Sequence, residues 1–520
     1  MKIKICDVIK VAIFILLFSF TFLSLIIICR TLLVQQYMVN SYCPTNENYI
    51  PLYGINHKAI TAERGIFERL QDSLKIRTIT RRPKNYDRNE ILKFHRFLNS
   101  SFPLIHSSPS VELTIVNELS LLYRINGSNQ QLKPYLLLAH MDVVPVQEDM
   151  WDFHPFEGQI FNDYIYGRGA LDLKSVVMGI MESLEFILEN KNPIIRSFYI
   201  AIGHDEEGRG LDGAAQIAKY MIENNMDNVE YILDEGPYIF RNAIPGVSRD
   251  VAMIGVAEKG LVNIKLSTDG AVGHSSLPPK QTSIVRLAKA VSKLNADSHP
   301  NLFGHGPEKD MIESLAPYCS LPYRIMYTNL WLFSPLVAKL LENDKLMNSF
   351  IRTTTAVTIF TSGIKDNVLP GKAEAIVNHR IYPLNRVEDV LRRDIEIIND
   401  DQIKVEVLGV AIQPHPISSY GHDSFGYQTI RQSIQQVFPD IAIIPGIMYA
   451  ATDTRWYLNF TNNIYRFSPG YITLEQFSIV HGHNERISKD NYLKLVNFYH
   501  HVIMNSNDAQ VDIAFFKDEF

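Results

Sequence analysis

Residues 11–29, VAIFILLFSFTFLSLIIIC, form an apolar stretch without a single charge, and the apolar runs that follow are short and separated by polar turns. About 20 such residues cross a bilayer as a helix. From about residue 59 the pattern becomes one of alternating elements. Residues 134–139 (PYLLLA) suit a buried strand, 173–188 carry apolar residues at helical spacing, 197–202 suit the next strand, 213–222 a helix and 229–233 a further strand. Strands alternating with helices predict a sheet covered on both faces. Near residue 254 the rhythm changes: 261–267 alternate, 283–294 read as a helix, and 356–360 and 373–380 as strands, a βαββ-like unit. Its interruption, about 299–352, is rich in Tyr318, Tyr323, Tyr327, Trp331 and Phe333. That segment reads as a helical insertion with its own packing, or as an apolar wall of the kind that holds an acyl chain. The first rhythm resumes at 387–505, so the second unit (255–383) is expected as an insertion between two halves of the first (59–254 and 384–505). A polar linker (30–58) and a tail (506–520) complete the division.

Lys2, Lys4 and Lys10 precede the apolar stretch and only Arg30 closely follows it. This bias predicts a cytoplasmic segment at 1–10, a signal anchor at 11–29 and a translocated remainder, giving a single-pass protein whose main body is lumenal, vacuolar, lysosomal or extracellular. A cleavable signal peptide, which would make the protein secreted, fits less well, because its apolar core is usually shorter and ends at small residues. Asn99, Asn126 and Asn459 then become candidate N-glycosylation acceptors. Cys6, Cys29, Cys43 and Cys319 form no disulfide framework; a Cys43–Cys319 bridge is chemically permitted outside the cytosol but has no spacing rule behind it. The 520 residues, 46% hydrophobic and 20% charged, are globular in composition and long enough for two or three domains. A net charge of -6 supplies no basic footprint for nucleic acid, which is excluded as a partner.

Candidate chemistry sits where the predicted strands end. His140-Met141-Asp142 follows the first run, a His with a carboxylate two residues on that could orient its ring. Asp172 follows a Gly-containing loop, Glu206-Glu207 close the next strand, Asp234-Glu235 the one after, and His481 lies in His-Gly-His-Asn-Glu before the last predicted helix. Each signal alone has a plainer explanation: a satisfied core His, a helix N-cap, a solvated turn. Together they would converge at the carboxyl edge of the sheet, where sites of open α/β folds lie. Two His and several carboxylates suit zinc, and a shared carboxylate suits a two-metal site. One of two adjacent Glu can bind a cation while the other serves as a general base.

In LLLAHMDVVP, YGRGALDLK, GHDEEGRG, DEG, GHSS, DNVLP and HGHNE, in that order, the chain from about 59 to 505 resembles the di-zinc family of aminoacylase, carboxypeptidase G and carboxypeptidase S. GHDEE, AVTIFTSGIKDNVLP and NNIYRFSPGYI place it nearest the carboxypeptidase S branch and the N-fatty-acyl-amino-acid synthase/hydrolases. The resemblance implies an α/β zinc-peptidase (phosphorylase/hydrolase-like) catalytic domain with an inserted α+β ferredoxin-like lid domain, here preceded by one transmembrane helix. It implies two Zn2+ ions per subunit, bridged by Asp172, with His140 and Asp234 on one and Glu207 and His481 on the other. Glu206 is the implied general base, Asp142 orients His140, and His274 helps stabilise the oxyanion, sometimes across a dimer built through the lid. Asn367 and Arg380 match substrate-contacting positions, Arg380 being suited to a free carboxylate. Three departures stand out. Leu173 replaces the acidic residue usual after the bridging Asp, in a peptide bond that is often cis in the family, and Ala450 replaces a glycine near Thr452-Asp453, where it could narrow the pocket.

The reading is a zinc-dependent hydrolase of an amide bond next to a free carboxylate, in an N-acyl amino acid or in a short peptide trimmed at its C-terminus. An N-fatty-acyl substrate could be made as well as broken, since one site catalyses both directions. A non-catalytic binding protein on the same fold is disfavoured, because a decayed site would be expected to lose a ligand or the base.

Overall fold

The structure, a computed structural model, describes residues 5–41, 59–241, 243–296 and 299–507. Lys2, Lys4, Cys43 and most of the expected linker and tail lie outside the described residues. Helix α1 (Ile5–Ser41) contains the apolar stretch, and its portion Ala12–Val34 is long and apolar enough to cross a membrane. Phe14, Leu16 and Phe18 stand exposed on it.

The first sheet begins with β1 (Val111–Val116), β2 (Ser120–Ile125), β3 (Tyr135–His140), β4 (Phe198–Gly203), β5 (Ile232–Asp234) and β6 (Val251–Glu258), with α2 (Lys174–Glu189) after β3 and α3 (Ala214–Glu223) after β4. The chain then builds β7 (Gly260–Asp269), α4 (Ser283–Ala296), the helices α5 (Leu321–Thr328) and α6 (Leu330–Glu342), β8 (Thr354–Ser362), β9 (Lys372–Ile381), α7 (Val387–Ile398) and β10 (Lys404–Ile412). It returns through α8 (Phe425–Val437), β11 (Ala442–Met448), β12 (Ile464–Arg466) and α9 (Lys489–Asn505).

Strand order in the first sheet runs β6-β12-β5-β3-β4-β2-β1, with β11 parallel to β6. Side-chain alternation explains why both faces are covered. Leu137 and Ile200 pack with Val176 and Leu495 on one side, while Leu136 and Leu138 pack with Ile217 and Met221 on the other. Because β3, β4 and β5 are parallel, the residues that follow them emerge at one edge, with His140 level with Gly203.

The second sheet is antiparallel, ordered β8-β9-β7-β10, in the βαββαβ sequence of a ferredoxin-like unit. Leu287, Leu294, Val390 and Ile398 of α4 and α7 cover one face, over Val262, Ile264 and Val377. Val357, Ile359, Phe360, Val407 and Val410 stay exposed on its strands. The expected return to the first unit at 384 is corrected here: α7 and β10 remain with the second sheet, β10 pairing with β7 from Leu261↔Ile412 to Ser267↔Lys404. A helix and a strand read alike in sequence whichever sheet they join, because pairing partners are chosen non-locally. The aromatic segment is helical, as expected, and Met311, Ile312, Leu330 and Val337 pack it against Ile444 and Ile447 of β11. It also meets α1, where the Arg30 Nε donates to the Thr328 carbonyl at 3.0 Å.

Candidate metal centre

At the edge where β3, β4 and β5 end, two donor sets meet on one carboxylate. His140, Asp172 and Glu235 offer ligand atoms all within 4.8 Å of one another, and so do Asp172, Glu207 and His481. Asp172 divides its oxygens between them: Oδ1 lies 3.1 Å from His140 Nε2 and Oδ2 lies 2.9 Å from His481 Nε2. Glu207 Oε1 is 3.1 Å from the same His481 nitrogen, yet it is buried without a hydrogen-bond partner among the described residues. An orphaned carboxylate oxygen facing an imidazole is the arrangement a cation would satisfy. Two dications with oxygen and nitrogen ligands fit this donor chemistry.

Each donor is held by its local chain. The peptide between Asp172 and Leu173 is cis, as the resemblance implied, and Leu173 itself is buried. Glu485 organises the loop before it: Oε1 accepts from the backbone N–H of Gly169, Leu171 and Asp172 at 3.1, 2.7 and 3.1 Å, while Oε2 meets Arg168 Nη1 at 2.6 Å. Arg168 also donates to the carbonyls of His481 and Gly482, which ties the two ligand loops together. His140 Nδ1 lies 3.1 Å from the backbone carbonyl of Asp142 and 3.4 Å from its Oδ1. The two carboxylate oxygens of Asp142 accept the backbone N–H groups of Glu206 and Glu207 at 3.0 and 3.2 Å. That pair lies on a 3-10 turn (Glu206–Gly208) rather than a strand end, so the separation of the two side chains comes from the turn.

The structure brings Glu235, not the expected Asp234, to His140, with Oε1 3.7 Å from Nε2. Asp234 ends β5 in register with Arg466, its Oδ1 accepts the Glu235 N–H at 2.9 Å, and it joins no donor set among the described residues. It lies on the strand face of Ile232, two positions earlier, which packs against the opposite core; one step along the chain redirects the side chain.

Electrostatics follow from crowding. Burial, and after it the charge of Asp172, pushes Glu207 up to about 8, and the same causes raise Glu235 well above the usual carboxylate range. Against burial, hydrogen bonds from His140 and His481 hold Asp172 below that range. The carboxylates of Asp172 and Glu207 beside its ring raise His481 to about 11. Burial raises Glu206, while Arg455 opposes it. Glu206 stands outside both donor sets, its Oε1 3.0 Å from Arg455 Nη2. Arg455 is fixed by the Thr452 carbonyl at 2.7 Å, and Thr452 by Glu258, which also binds Arg466 Nε at 2.8 Å.

Arg380 lies on β9, at the junction of the two units. It feels Glu258 and Arg455, and its Nη1 is buried without a partner among the described residues. His274 and Asn367 are neighbours on a short ribbon, where His274 pairs with Val368 and the Asn367 carbonyl accepts the Ser275 N–H at 3.1 Å. Both are exposed, and His274 Nδ1 lies 2.7 Å from the Ser276 hydroxyl. Neither shares a hydrogen bond or ion pair with the donor sets among the described residues. Asn99 and Asn459 are exposed; Asn126 is half-buried and donates to Glu112. Sequence reasoning missed Glu235, Glu485, Arg168, Arg455 and Glu258; Glu235, Glu485 and Arg168 carried a signal, as the second residue of DEG, the last of HGHNE and the third of YGRGALDLK.

Comparison with known proteins agrees with this geometry. The model of peptidase family M20/M25/M40 matches residues 136–505. The chain is 42% identical over 445 residues to the N-fatty-acyl-amino acid synthase/hydrolase PM20D1.1 of Danio rerio, covering 85% of this chain and 86% of that protein. It is 42% identical over 420 residues to the probable carboxypeptidase S-like 2 of Dictyostelium discoideum, covering 80% of each. Among solved structures, the M20 family metallo-carboxypeptidase Sso-CP2 from Sulfolobus solfataricus superposes with a TM-score of 0.61 at 18% identity, over 85% of this chain and 99% of that one. Human carnosine dipeptidase 1 gives 0.60 at 15%, over 85% and 96%. The likeness to solved structures speaks for the fold, and the family match and the curated relatives carry the assignment: the chain belongs to peptidase family M20/M25/M40 and is a metallohydrolase enzyme.

Proposed function

We propose that the chain hydrolyses, and can also form, the amide bond of N-acyl amino acids with long acyl chains. The observation that carries this reading is Asp172, shared between two donor sets beside a carboxylate, Glu206, that belongs to neither. His140 and Glu235 would hold one zinc ion and Glu207 and His481 the other. When bound, the ions supply Lewis-acid polarisation of the amide carbonyl and a lowered pKa for the attacking water. Glu206 takes the proton of that water as its oxygen bonds to the carbonyl carbon, and delivers it to the amine nitrogen as the carbon–nitrogen bond breaks. Arg455 keeps Glu206 pointed and charged. Arg380 pairs with the substrate carboxylate through its unpartnered nitrogen. His274 and Asn367 reach the carbonyl or acyl side when the second unit, acting as a lid, swings in or when a second subunit supplies its own. The exposed apolar strands of that unit support a homodimer through it.

The acyl preference is supported by the curated relatives and by the helical insertion, where Leu321 is exposed on α5, which packs against α1, and Trp331, Leu332, Leu336 and Leu340 are exposed on α6, which packs against α5. An apolar surface next to a membrane-crossing helix suits a substrate that partitions into lipid. The same helix supports a signal anchor with the enzyme on the lumenal or extracellular side, where Asn99, Asn126 and Asn459 could be glycosylated. The second reading is a carboxypeptidase acting on short peptides, favoured by the carboxypeptidase S-like relatives and equally served by Arg380. Incubating the purified protein with N-acyl amino acids and dipeptides, with and without chelator, separates the two by product mass. Cleavage of dipeptides alone would remove the acyl reading. Glu206→Gln should lower kcat by roughly 10²–10⁴ with metal content unchanged; wild-type turnover in that variant would sink the mechanism.

A further inference from the structure

A third cluster of ligand-type side chains lies in the second unit. His379 on β9, Asp394 on α7 and His299 in the segment after α4 are all buried and offer ligand atoms within 4.8 Å of one another. Asp394 Oδ2 lies 2.9 Å from His379 Nε2, and Oδ1 lies 3.9 Å from His299 Nε2. The two rings meet edge to face, with centroids 5.6 Å apart. In a tetrahedral zinc site with bonds near 2.0–2.1 Å, ligand atoms stand about 3.3 Å from one another; the two distances bracket that spacing.

The short contact is not a hydrogen bond. Neither His379 Nε2 nor Asp394 Oδ2 has a hydrogen-bond partner among the described residues, although both atoms are buried. A buried carboxylate oxygen and a buried imidazole nitrogen aimed at one space, without hydrogen-bond geometry, gain little from each other and lose their water. A cation between them satisfies both. The opposite side of the His379 ring is already held: Thr355, its partner across the strand pair, places Oγ1 3.0 Å from Nδ1. If the hydroxyl accepts the Nδ1 proton, the tautomer leaves the Nε2 lone pair facing Asp394, as outer-shell partners of metal-bound histidines do.

We propose that His299, His379 and Asp394 bind a divalent transition metal, zinc above all, separate from the catalytic pair. Two imidazoles and a carboxylate suit that ion, and a small ligand such as water takes the fourth position. Burial shuts out substrate, so the ion is structural. It staples α7 and the end of the α4 segment to β9, one residue before Arg380, and so stiffens the strand that presents the carboxylate-binding side chain.

The test uses the full chain carrying His140→Ala, Glu207→Gln and His481→Ala, which disables the catalytic donor sets, stripped of metal and titrated with Co2+ and then Zn2+. The expected result is one equivalent of Co2+ with the visible absorption of tetrahedral cobalt, displaced by Zn2+, and a higher thermal midpoint with metal than without. Adding Asp394→Asn should abolish the band. A blocked chain that is folded by circular dichroism yet takes up no metal would overturn the proposal, whether or not the Asp394 variant folds. So would a band that survives both Asp394→Asn and His379→Gln.

Discussion

Arg380→Met should make the protein more stable and less active at once. The guanidinium is largely buried, burial lowers its pKa, and Nη1 has no partner among the described residues. An unsatisfied buried donor costs about 1–3 kcal/mol, more when charged, and Met fills similar volume without that cost. The free, metal-loaded variant should therefore unfold a few degrees higher. Binding reverses the sign. Two charge-assisted hydrogen bonds to a carboxylate, at about 1.5–3 kcal/mol each and not fully additive, amount to about 3–5 kcal/mol. At 1.4 kcal/mol per tenfold, kcat/KM for an N-acyl amino acid should fall by roughly 10²–10⁴. The paired assay is differential scanning of the substrate-free protein and kinetics on the acid and on its methyl amide. The wild type should prefer the acid by about the same factor, and the variant should treat both alike. A variant that unfolds earlier than the wild type, or keeps the preference for the acid, would refute the placement of the carboxylate on Arg380.

Glu235→Gln should lower the metal content or affinity of the purified protein, whereas Asp234→Asn should leave both unchanged; equal metal loss in the two, by inductively coupled plasma mass spectrometry, would restore Asp234 as a ligand. Glu485→Gln removes the charge and the Oε2 acceptor that Arg168 faces while leaving one oxygen for the three backbone donors, and breaking a buried pair from one side costs about 3–5 kcal/mol; chemical denaturation should show that loss, with weaker metal retention alongside. Burial, and secondarily Arg380, depresses Lys259 to about 7, while its unfolded value is near 10.5. Between those values the unfolded chain binds the extra proton, so this group makes stability rise with pH by up to about 1.4 kcal/mol per unit. Lys259→Met should flatten the pH dependence of unfolding across that window, and an unchanged slope would show the lysine to be charged when folded.

Much of the first sheet was legible because its strands are buried runs bounded by turns, and because sheet topology sends the ends of parallel strands to one edge. That His140, Asp172, Glu207 and His481 would come together was legible for that reason, together with the motifs around them. What was hidden depends on contacts between distant segments. Asp234 and Glu235 are equally good ligands on paper, and only the direction of the last residue of β5 chooses between them. Arg455 and Glu258 are ordinary charged residues in sequence and become parts of the site through a chain of bonds that closes in three dimensions. His299, His379 and Asp394 have no motif spacing; they lie on different elements that only the packing of α4 and α7 over β9 brings together. β10 could not be assigned to a sheet from its own residues, since its alternating pattern serves either one.

The connection between the two units matters to the chemistry more than its length suggests. β6 ends at Glu258 and β7 begins at Gly260, leaving Lys259 alone between the sheets, with its Nζ on the Ser349 and Arg352 carbonyls at 3.0 Å. A Cβ at Gly260 would stand 2.6 Å from the Ile412 carbonyl, so the outgoing and returning chains pass side by side, and the His415 N–H closes the pair on the Glu258 carbonyl at 3.0 Å. Glu258 is also the residue that fixes Thr452, through it Arg455, and through that Glu206. A rotation of the second unit that carried His274 and Asn367 towards the metal centre would turn about these two strands. On the proposed roles, the residue at the crossing between the sheets is then also the one that anchors Glu206, and its buried ion pair with Arg466 holds that point in place.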